Sequence, residues 1–138
     1  MPYFKDADEV YATIGKLFQD LADDEELAPK FRKANTIVRY DFRNPDSVLT
    51  VRLQEGQPGD VDFGDSDMEP DVTMAMEADT AHKFWLGQVN VTVALARGQI
   101  KAKGPVAKIL KLVPLTKPVF PRYVALLEAQ GRKDLVNV

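Results

Sequence analysis

Three glycines frame one short segment in the second half of the chain and limit what the chain can fold into. Gly98 and Gly104 lie at the two ends of the alternating segment 99–103 (QIKAK), and Gly87 precedes them. Glycine at such points marks turns that need a positive φ angle or a close approach of two backbones. The pattern predicts a short strand between tight turns, with a two-faced helix directly after it.

The beginning of the chain predicts two helices. Asp6 or Asp8 caps the first helix, whose apolar residues recur at helical spacing between Val10 and Leu21. The acidic run 23–26 suits the start of the second helix, because negative charge stabilises a helix N-terminus.

Two alternating segments follow, residues 38–42 and 49–53, in which every second side chain is apolar. This period of two is typical of strands that have one face on a core. The connecting residues 43–46 (RNPD) are strong turn formers, so we expect an antiparallel hairpin.

The second half of the chain predicts a loop, two further strands and several helices. Residues 55–70 are rich in Gly, Pro and acidic residues and predict a loop with a short strand near 61–63. Residues 72–76 alternate again and predict a strand. The other predicted elements are a helix capped by Asp79 or Thr80, a short helix over 90–96, the strand 99–103, a helix opened by Pro105 and a last helix after Pro121.

Together these elements predict an α+β fold. The connections are too short for several crossovers between parallel strands, so we expect about five strands in a mainly antiparallel sheet. We expect the helices to cover one face of this sheet. No linker, repeat or low-complexity run divides the 138 residues, so we expect a single domain over residues 1–138.

Composition excludes several classes of protein. The chain has no cysteine, which rules out disulfides, thiol nucleophiles and thiolate metal sites. A net charge of −3 argues against nucleic acid as a partner. The N-terminus lacks the features of a signal peptide, and no apolar run approaches the roughly 20 residues that span a bilayer. We expect a soluble, cytoplasmic protein with no metal site and no cofactor.

The order of elements resembles the sterol carrier protein type 2 (SCP2-like) family, a small fold built around an apolar tunnel. The resemblance is strongest from Asp71 to Leu112, where a strand, a helix ending near Gly87 and a short segment with Ala94 precede Gly-x-Ile-x-x-x-Gly at 98–104 and a helix. One departure is the β-branched segment 89–93, where family members often carry an Asp-Pro-like pair. The order of elements, more than any single residue, carries the resemblance.

This resemblance implies a domain that encloses an apolar tunnel and binds or transfers a lipid, with no enzymatic chemistry of its own. The implied ligand is a fatty acid, a fatty acyl-CoA, a sterol-like molecule or an isoprenoid. An acyl chain gains about 0.8 kcal/mol for each methylene removed from water, so its site needs an apolar lining and few polar contacts. Each candidate lining residue is also a candidate for ordinary core packing. The candidates are Met74, Met76, Phe84, Trp85, Ile100, Ile109, Leu112, Phe120, Tyr123, Val124 and Leu127.

Acidic and basic residues are separated along the chain. Eight acidic residues and no Lys or Arg lie within residues 60–79. The lysines Lys101, Lys103, Lys108 and Lys111 follow, and they suit a transient contact with an anionic membrane surface or with a CoA phosphate. A solvated surface is the simpler interpretation for any one of them.

The chain offers little catalytic equipment. His82 is the only histidine, and the sequence favours a surface residue with no role. Ser47 and Ser66 lie in turn-like contexts outside any nucleophile motif. The acidic loop 60–67 does not have the EF-hand spacing, so a solvated loop is preferred to a calcium site.

Two alternatives to lipid transfer stay open. The domain can instead be an accessory module that holds a substrate for an enzyme of lipid or quinone metabolism, with that enzyme or a second copy of the chain as its partner. The other alternative is a small enzyme that uses Asp and Tyr side chains in an apolar pocket, where burial raises a carboxyl pKa, and it requires an acid such as Asp41 or Glu77 to point inward. The alternation turns Asp41 outward, which weakens this last hypothesis.

Overall fold

The computed structural model describes residues 2–57 and 59–138. A π-helical turn, Tyr11–Gly15, joins the first two helices, and a 3-10 helix, Val113–Val119, precedes the longest one. The strands are β1 (Thr36–Arg43), β2 (Ser47–Leu53), β3 (Val61–Phe63), β4 (Val72–Glu77) and β5 (Ile100–Lys103). The α-helices are α1 (Ala7–Val10), α2 (Lys16–Ala22), α3 (Ala28–Arg32), α4 (Ala78–Trp85), α5 (Val91–Ala96), α6 (Val106–Leu110), α7 (Phe120–Ala129) and α8 (Lys133–Val136).

The five strands form one sheet in the order β3-β2-β1-β4-β5. Neighbouring strands are antiparallel except for β1 and β4, which are parallel. The predicted α+β fold with a mainly antiparallel sheet is therefore confirmed, and so is the hairpin of β1 and β2. The sequence does not predict the parallel pair, which forms because the chain returns from β3 through residues 64–71 and enters β4 beside β1.

Alternation along the central strands places one row of side chains in the core. Val38 and Phe42 on β1 and Met74 on β4 are buried, whereas Arg39 on β1 is exposed. The helices pack on the face that carries the apolar row. The predicted apolar stripe of the first helical stretch is buried at each of its positions, which are Val10, Ile14, Leu17, Phe18 and Leu21.

Local capping explains where several helices begin. Asp6 accepts a backbone hydrogen bond in the first turn of α1, as predicted, and Asn90 caps the predicted short helix α5 in the same way. The predicted cap of α4 is wrong, because this helix already begins after Glu77. Asp79 Oδ1 instead accepts a hydrogen bond of 2.9 Å from the backbone N–H of Tyr3, so this acid holds the N-terminal segment against α4.

Gly104 is required by a close approach of two backbones. Its φ angle is +96°, and a Cβ atom at this position would lie 2.2 Å from the carbonyl oxygen of Asp71. A larger residue would push β5 away from the start of β4. Gly87 and Gly98 also have positive φ angles, so the prediction that these glycines serve tight turns is confirmed. Across residues 2–57 and 59–138, none of the helices combines the length and apolar character needed to traverse a bilayer.

Candidate functional site

An apolar cavity of about 110 Å³ lies between the sheet and the helices. Its walls come from strands β1, β2, β4 and β5, from helices α2 to α6 and from the 3-10 helix. Protein interiors are normally packed with few voids, so a cavity of this composition marks a place where the core is left incomplete. Small-molecule sites commonly have this form, a mostly apolar concavity with a few polar groups.

The sheet forms the floor of the cavity. Tyr40 on β1 lies opposite Met74 on β4, and Phe42 lies opposite Met76. Met76 in turn lies opposite Ile100 on β5. Side chains in register on neighbouring strands share one face, so the floor is continuous over three strands. Methionine adapts its shape readily, which suits a floor that meets a flexible ligand.

Aromatic side chains close the cavity from the helical side. Phe18 on α2 packs against Tyr40 and Trp85, with ring centroids 5.3 Å and 5.6 Å apart. Phe84 meets Trp85 edge-on at 4.9 Å. Leu112, after α6, completes this side of the wall. The contact between Phe18 and Tyr40 ties the helical wall to the sheet.

A small number of polar groups border the cavity. Burial raises the pKa of Tyr40 to about 12, so its hydroxyl is neutral at physiological pH, and no hydrogen bond to a described residue stabilises it. The Thr116 hydroxyl donates to the carbonyl oxygen of Val113 at 2.6 Å and is satisfied. Arg32 and Arg52 add two guanidinium groups, and no Asp or Glu is among the described lining residues.

The structure separates the candidate lining residues into two groups. Those that border the cavity are Met74, Met76, Phe84, Trp85, Ile100, Ile109 and Leu112. Those that do not border it lie on α7 and are Phe120, Tyr123, Val124 and Leu127. Phe120 packs edge-on against Phe84 at 5.8 Å, one layer behind the wall. For both groups, contact with a bound lipid stays a prediction.

The prediction that His82 is a surface residue is wrong. Its side chain is fully buried, with Nδ1 2.8 Å from the Tyr123 hydroxyl and Nε2 2.7 Å from the carbonyl oxygen of Leu135. A carbonyl oxygen only accepts, so Nε2 carries the proton and Nδ1 accepts from Tyr123. Tyr3 and Phe4 pack edge-on against the ring. Burial lowers the pKa of His82, which therefore acts as a neutral tie between α4, α7 and α8.

The acids of the small-enzyme alternative lie away from the cavity. Asp41 pairs with Arg39 at 2.8 Å, and Glu77 accepts a hydrogen bond of 2.9 Å from the side chain of Asn44. Neither acid borders the cavity. In the part of the chain that the structure describes, no group of His, Asp and Glu is arranged to hold a metal ion.

The predicted membrane-contact lysines lie on two adjacent elements of the C-terminal half. Lys101 and Lys103 are exposed on β5, and Lys111 is exposed after α6. Lys108 is half-buried, and its Nζ donates a hydrogen bond of 3.2 Å to the carbonyl oxygen of Asn35. Three of the four amino groups therefore face solvent, and the fourth also holds α6 against the segment before β1.

The match to a family model decides the identity of the fold. The model of the SCP-2 sterol transfer family matches residues 14–117, which contain all the described residues that line the cavity. The chain belongs to the SCP-2 sterol transfer family. The resemblance carried by the order of elements is thereby confirmed. Comparison with curated proteins gives no significant match.

Solved structures of SCP-2 proteins share the fold. The sterol carrier protein domain 2 of Helicoverpa armigera is 19% identical, with 88% of this chain and 95% of that chain covered and a TM-score of 0.65. UbiJ-SCP2, a ubiquinone synthesis protein, is 20% identical, with 86% of this chain and 95% of that chain covered and a TM-score of 0.60. The Aedes aegypti sterol carrier protein 2 in complex with palmitate is 21% identical, with 82% of this chain and 96% of that chain covered and a TM-score of 0.54. At these identities the likeness shows the fold alone.

Proposed function

We propose that this protein binds a lipid non-covalently in the apolar cavity and transfers or presents it, without chemistry of its own. The cavity itself carries this proposal, because its wall is almost entirely apolar and it lies in the core of an SCP-2 family chain. A protein of the same fold holds palmitate. Burial of an acyl chain of about sixteen carbons gains roughly 10 kcal/mol or more before binding costs, so shape and apolar lining suffice.

The size of the cavity implies that its walls move when a lipid enters. A cavity of roughly 150 Å³ lined by Leu, Ile and Phe accepts benzene. The cavity of this protein, at about 110 Å³, is smaller and has room for only part of an acyl chain. We therefore expect a bound acyl chain to widen the cavity.

Helix α6 is the wall that we expect to move. It has five residues, of which only Ile109 is buried, and Leu110 beside it is 37% exposed. Helices this short depend on packing for their stability, and this one has little. The strands of the floor, in contrast, are held by hydrogen bonds along their length. Outward movement of α6 would open the cavity at Ile109 and Leu112.

The same region suits contact with an anionic membrane. Leu110 is an exposed apolar side chain on α6, and Lys111 follows it. Lys101 and Lys103 are exposed on β5, which directly precedes α6. Each basic residue near an anionic surface adds about 1 kcal/mol of attraction, and an apolar side chain inserts between head groups. We propose that the protein collects and delivers its lipid with this region against the bilayer.

Native mass spectrometry of freshly purified protein tests the function directly. We expect an added mass in the lipid range, which organic extraction then identifies. Titration with a fluorescent fatty acid gives the affinity of the emptied protein and should saturate at one ligand per chain. Absence of both a co-purified lipid and saturable binding up to high micromolar concentrations would overturn the proposal.

A matched pair of substitutions tests whether the lipid binds in the cavity. Leu53 is half-buried and borders the cavity, whereas Leu126 is half-buried on α7 and does not. Leu53→Trp fills part of the space and should weaken fatty-acid binding about tenfold, because each lost methylene contact is worth close to 1 kcal/mol. Leu126→Trp adds the same bulk elsewhere and should bind as the wild type does. Equal weakening by both would argue against this cavity.

An accessory role is the second candidate function. It is supported by the likeness to UbiJ-SCP2, a protein of ubiquinone synthesis. In this role the cavity holds a lipid substrate that a separate enzyme modifies. Affinity purification of the tagged full chain, followed by mass spectrometry, distinguishes the two candidates, because one enzyme in stoichiometric amount supports the accessory role and a lone lipid-loaded chain supports transfer.

A further inference from the structure

Two guanidinium groups border the otherwise apolar cavity, and their charges are compensated differently. Arg52 Nη1 lies 2.9 Å from Asp60 Oδ2, so this positive charge has a carboxylate partner. Arg32 has no carboxylate within ion-pair distance among the described residues. Its Nη2 donates only to the carbonyl oxygen of Ala22, at 3.3 Å. The cavity wall therefore carries one positive charge without a counter-charge.

The Nε atom of Arg32 is also without a hydrogen bond. It is inaccessible to solvent, and among the side-chain nitrogens and oxygens of residues 2–57 and 59–138 that are inaccessible to solvent it is the one without a partner. A buried donor on a charged group is costly to leave unpaired, so one that has no protein partner calls for an explanation. The Nε–H and an adjacent Nη–H of a guanidinium form a planar fork that matches two oxygens of one anion.

Arg32 lies where the apolar cavity meets a polar groove. Ala22 and Gly59 border both spaces, and a Cβ atom at Gly59 would lie 3.3 Å from Arg32 Nη2. The groove is open to solvent, and its other lining residues are Lys16, Gln19, Asp23, Asp60 and Val61. The guanidinium thus lies at the boundary between an apolar interior and water. A lipid has the same division, with an apolar tail and a polar head.

We propose that Arg32 binds the anionic head group of the lipid, with the tail in the apolar cavity. The head group is one that offers two oxygens of a single anion, a carboxylate or a phosphate monoester. This inference rests on the lipid-binding function proposed above and adds a ligand class to it. Neutral lipids of the sterol, alcohol or quinone type leave the Arg32 donor unpaired, so the site selects against them.

The experiment compares three probes with the same twelve-carbon tail at pH 8: dodecanoate, dodecyl phosphate and dodecanol. Isothermal titration or displacement of a fluorescent fatty acid gives each affinity. We expect wild-type protein to bind at least one anion about tenfold or more tightly than dodecanol, since charge-assisted hydrogen bonds discriminate by this amount. The preferred anion distinguishes a fatty acid from a phosphorylated lipid.

Substitution of the guanidinium should remove the preference and leave tail binding intact. Arg32→Met should weaken binding of the preferred anion by about 10- to 100-fold and leave dodecanol within about threefold of wild type. Arg52→Met should have a smaller effect, because Asp60 already compensates that charge. The control is Arg39→Met, which removes one exposed positive charge away from the cavity and should not alter any of the three affinities.

The outcomes separate this inference from the proposed function. If all three probes bind wild type equally, or if Arg32→Met keeps the preference, the head-group assignment is overturned while lipid binding stands. If no probe binds, lipid binding itself fails and the assignment fails with it. If Arg32→Met does not fold, Arg32→Lys takes its place, because lysine keeps the charge but lacks the planar fork, and an anion preference as large as that of the wild type would overturn the assignment.

Discussion

Two parts of the interior differ in how completely they are packed. In the part of the core that contains His82 and helix α7, the side chains of Phe4, Tyr123, Leu127 and Leu135 are each at most 2% exposed, and both ring nitrogens of the histidine have partners. We call these five residues the packed cluster. Around the cavity, side chains of similar size leave about 110 Å³ of open space.

Unpaired polar groups distinguish the two parts in the same way. The cavity retains the Arg32 Nε donor and the Tyr40 hydroxyl without partners among the described residues. Helix α4 contributes to both parts, with His82 in the packed cluster and Ala81, Phe84 and Trp85 on the cavity wall. One helix can therefore be fully packed on one side and border open space on the other. The cavity is thus a local feature of the core. This locality is what we expect of a binding site.

Leucine truncation should separate the two parts by the largest margin. Leu127→Ala removes a side chain that is 0% exposed in the packed cluster, and we expect it to lower the free energy of unfolding by about 3–5 kcal/mol. Leu112→Ala removes a side chain that already borders open space and loses fewer contacts, so we expect about 2 kcal/mol. Urea denaturation of the ligand-free proteins measures both changes.

Lipid affinity provides the matching control for this pair. Leu112→Ala enlarges the cavity and should bind dodecanoate at least as tightly as wild type, whereas Leu127→Ala should leave the affinity of the folded fraction unchanged. Equal losses of stability at the two positions would show that the cavity wall is packed as tightly as the rest, and would remove the contrast.

Acid should weaken the packed cluster through His82. Burial lowers the pKa of this histidine, so below the ordinary value of about 6.5 the unfolded chain takes up a proton that the folded chain does not. Stability is therefore complete above pH 6.5 and falls as the pH falls. We expect a loss of roughly 1 kcal/mol per pH unit below about pH 6, measured by urea denaturation between pH 7.5 and 4.5.

The variant His82→Gln tests the assignment of this pH dependence. It should be less stable than wild type at pH 7.5, because glutamine cannot serve both Tyr123 and Leu135 with the same geometry. It should also lack the wild-type slope between pH 6.5 and 5, although carboxyl groups still titrate below that range. A slope that persists in the variant would assign the pH dependence to other groups.

The burial of His82 could have been predicted from spacing. Helix α4 buries Ala78, Ala81, His82 and Trp85, which follow the spacing i, i+3, i+4 and i+7 of a buried helical face. The face is hard to recognise in the sequence, because two of its members are alanines and the larger apolar residues are grouped at 84–86. The strands themselves, in contrast, follow from the alternation of their apolar side chains, whereas the parallel pairing of β1 with β4 has no such signal in the sequence.

The polar groups of the cavity could not be predicted in this way. Arg32 lies near the C-terminal end of α3 beside Lys30, where a basic residue is normally solvated and interacts with the helix dipole. Its surroundings depend on Gly59, which is distant in sequence and would place a Cβ atom 3.3 Å from Arg32 Nη2. Tyr40 alternates with the core residues of β1, but its unpaired hydroxyl depends on what the helices fail to cover. Whether such a polar group finds a partner depends on tertiary packing, and the local sequence gives no signal of it.

Removal of a tyrosine hydroxyl gives the smallest effect and the most direct comparison. Tyr123→Phe deletes the donor to His82 Nδ1 in the packed cluster, so we expect a loss of about 1–2 kcal/mol in the free energy of unfolding at pH 7.5. Tyr40→Phe deletes a hydroxyl without a protein partner and should change stability by less than about 0.5 kcal/mol. Thermal and urea denaturation of both variants measure the difference. A loss for Tyr40→Phe as large as that for Tyr123→Phe would mean that the cavity hydroxyl is satisfied after all, and the two parts would then differ in volume alone.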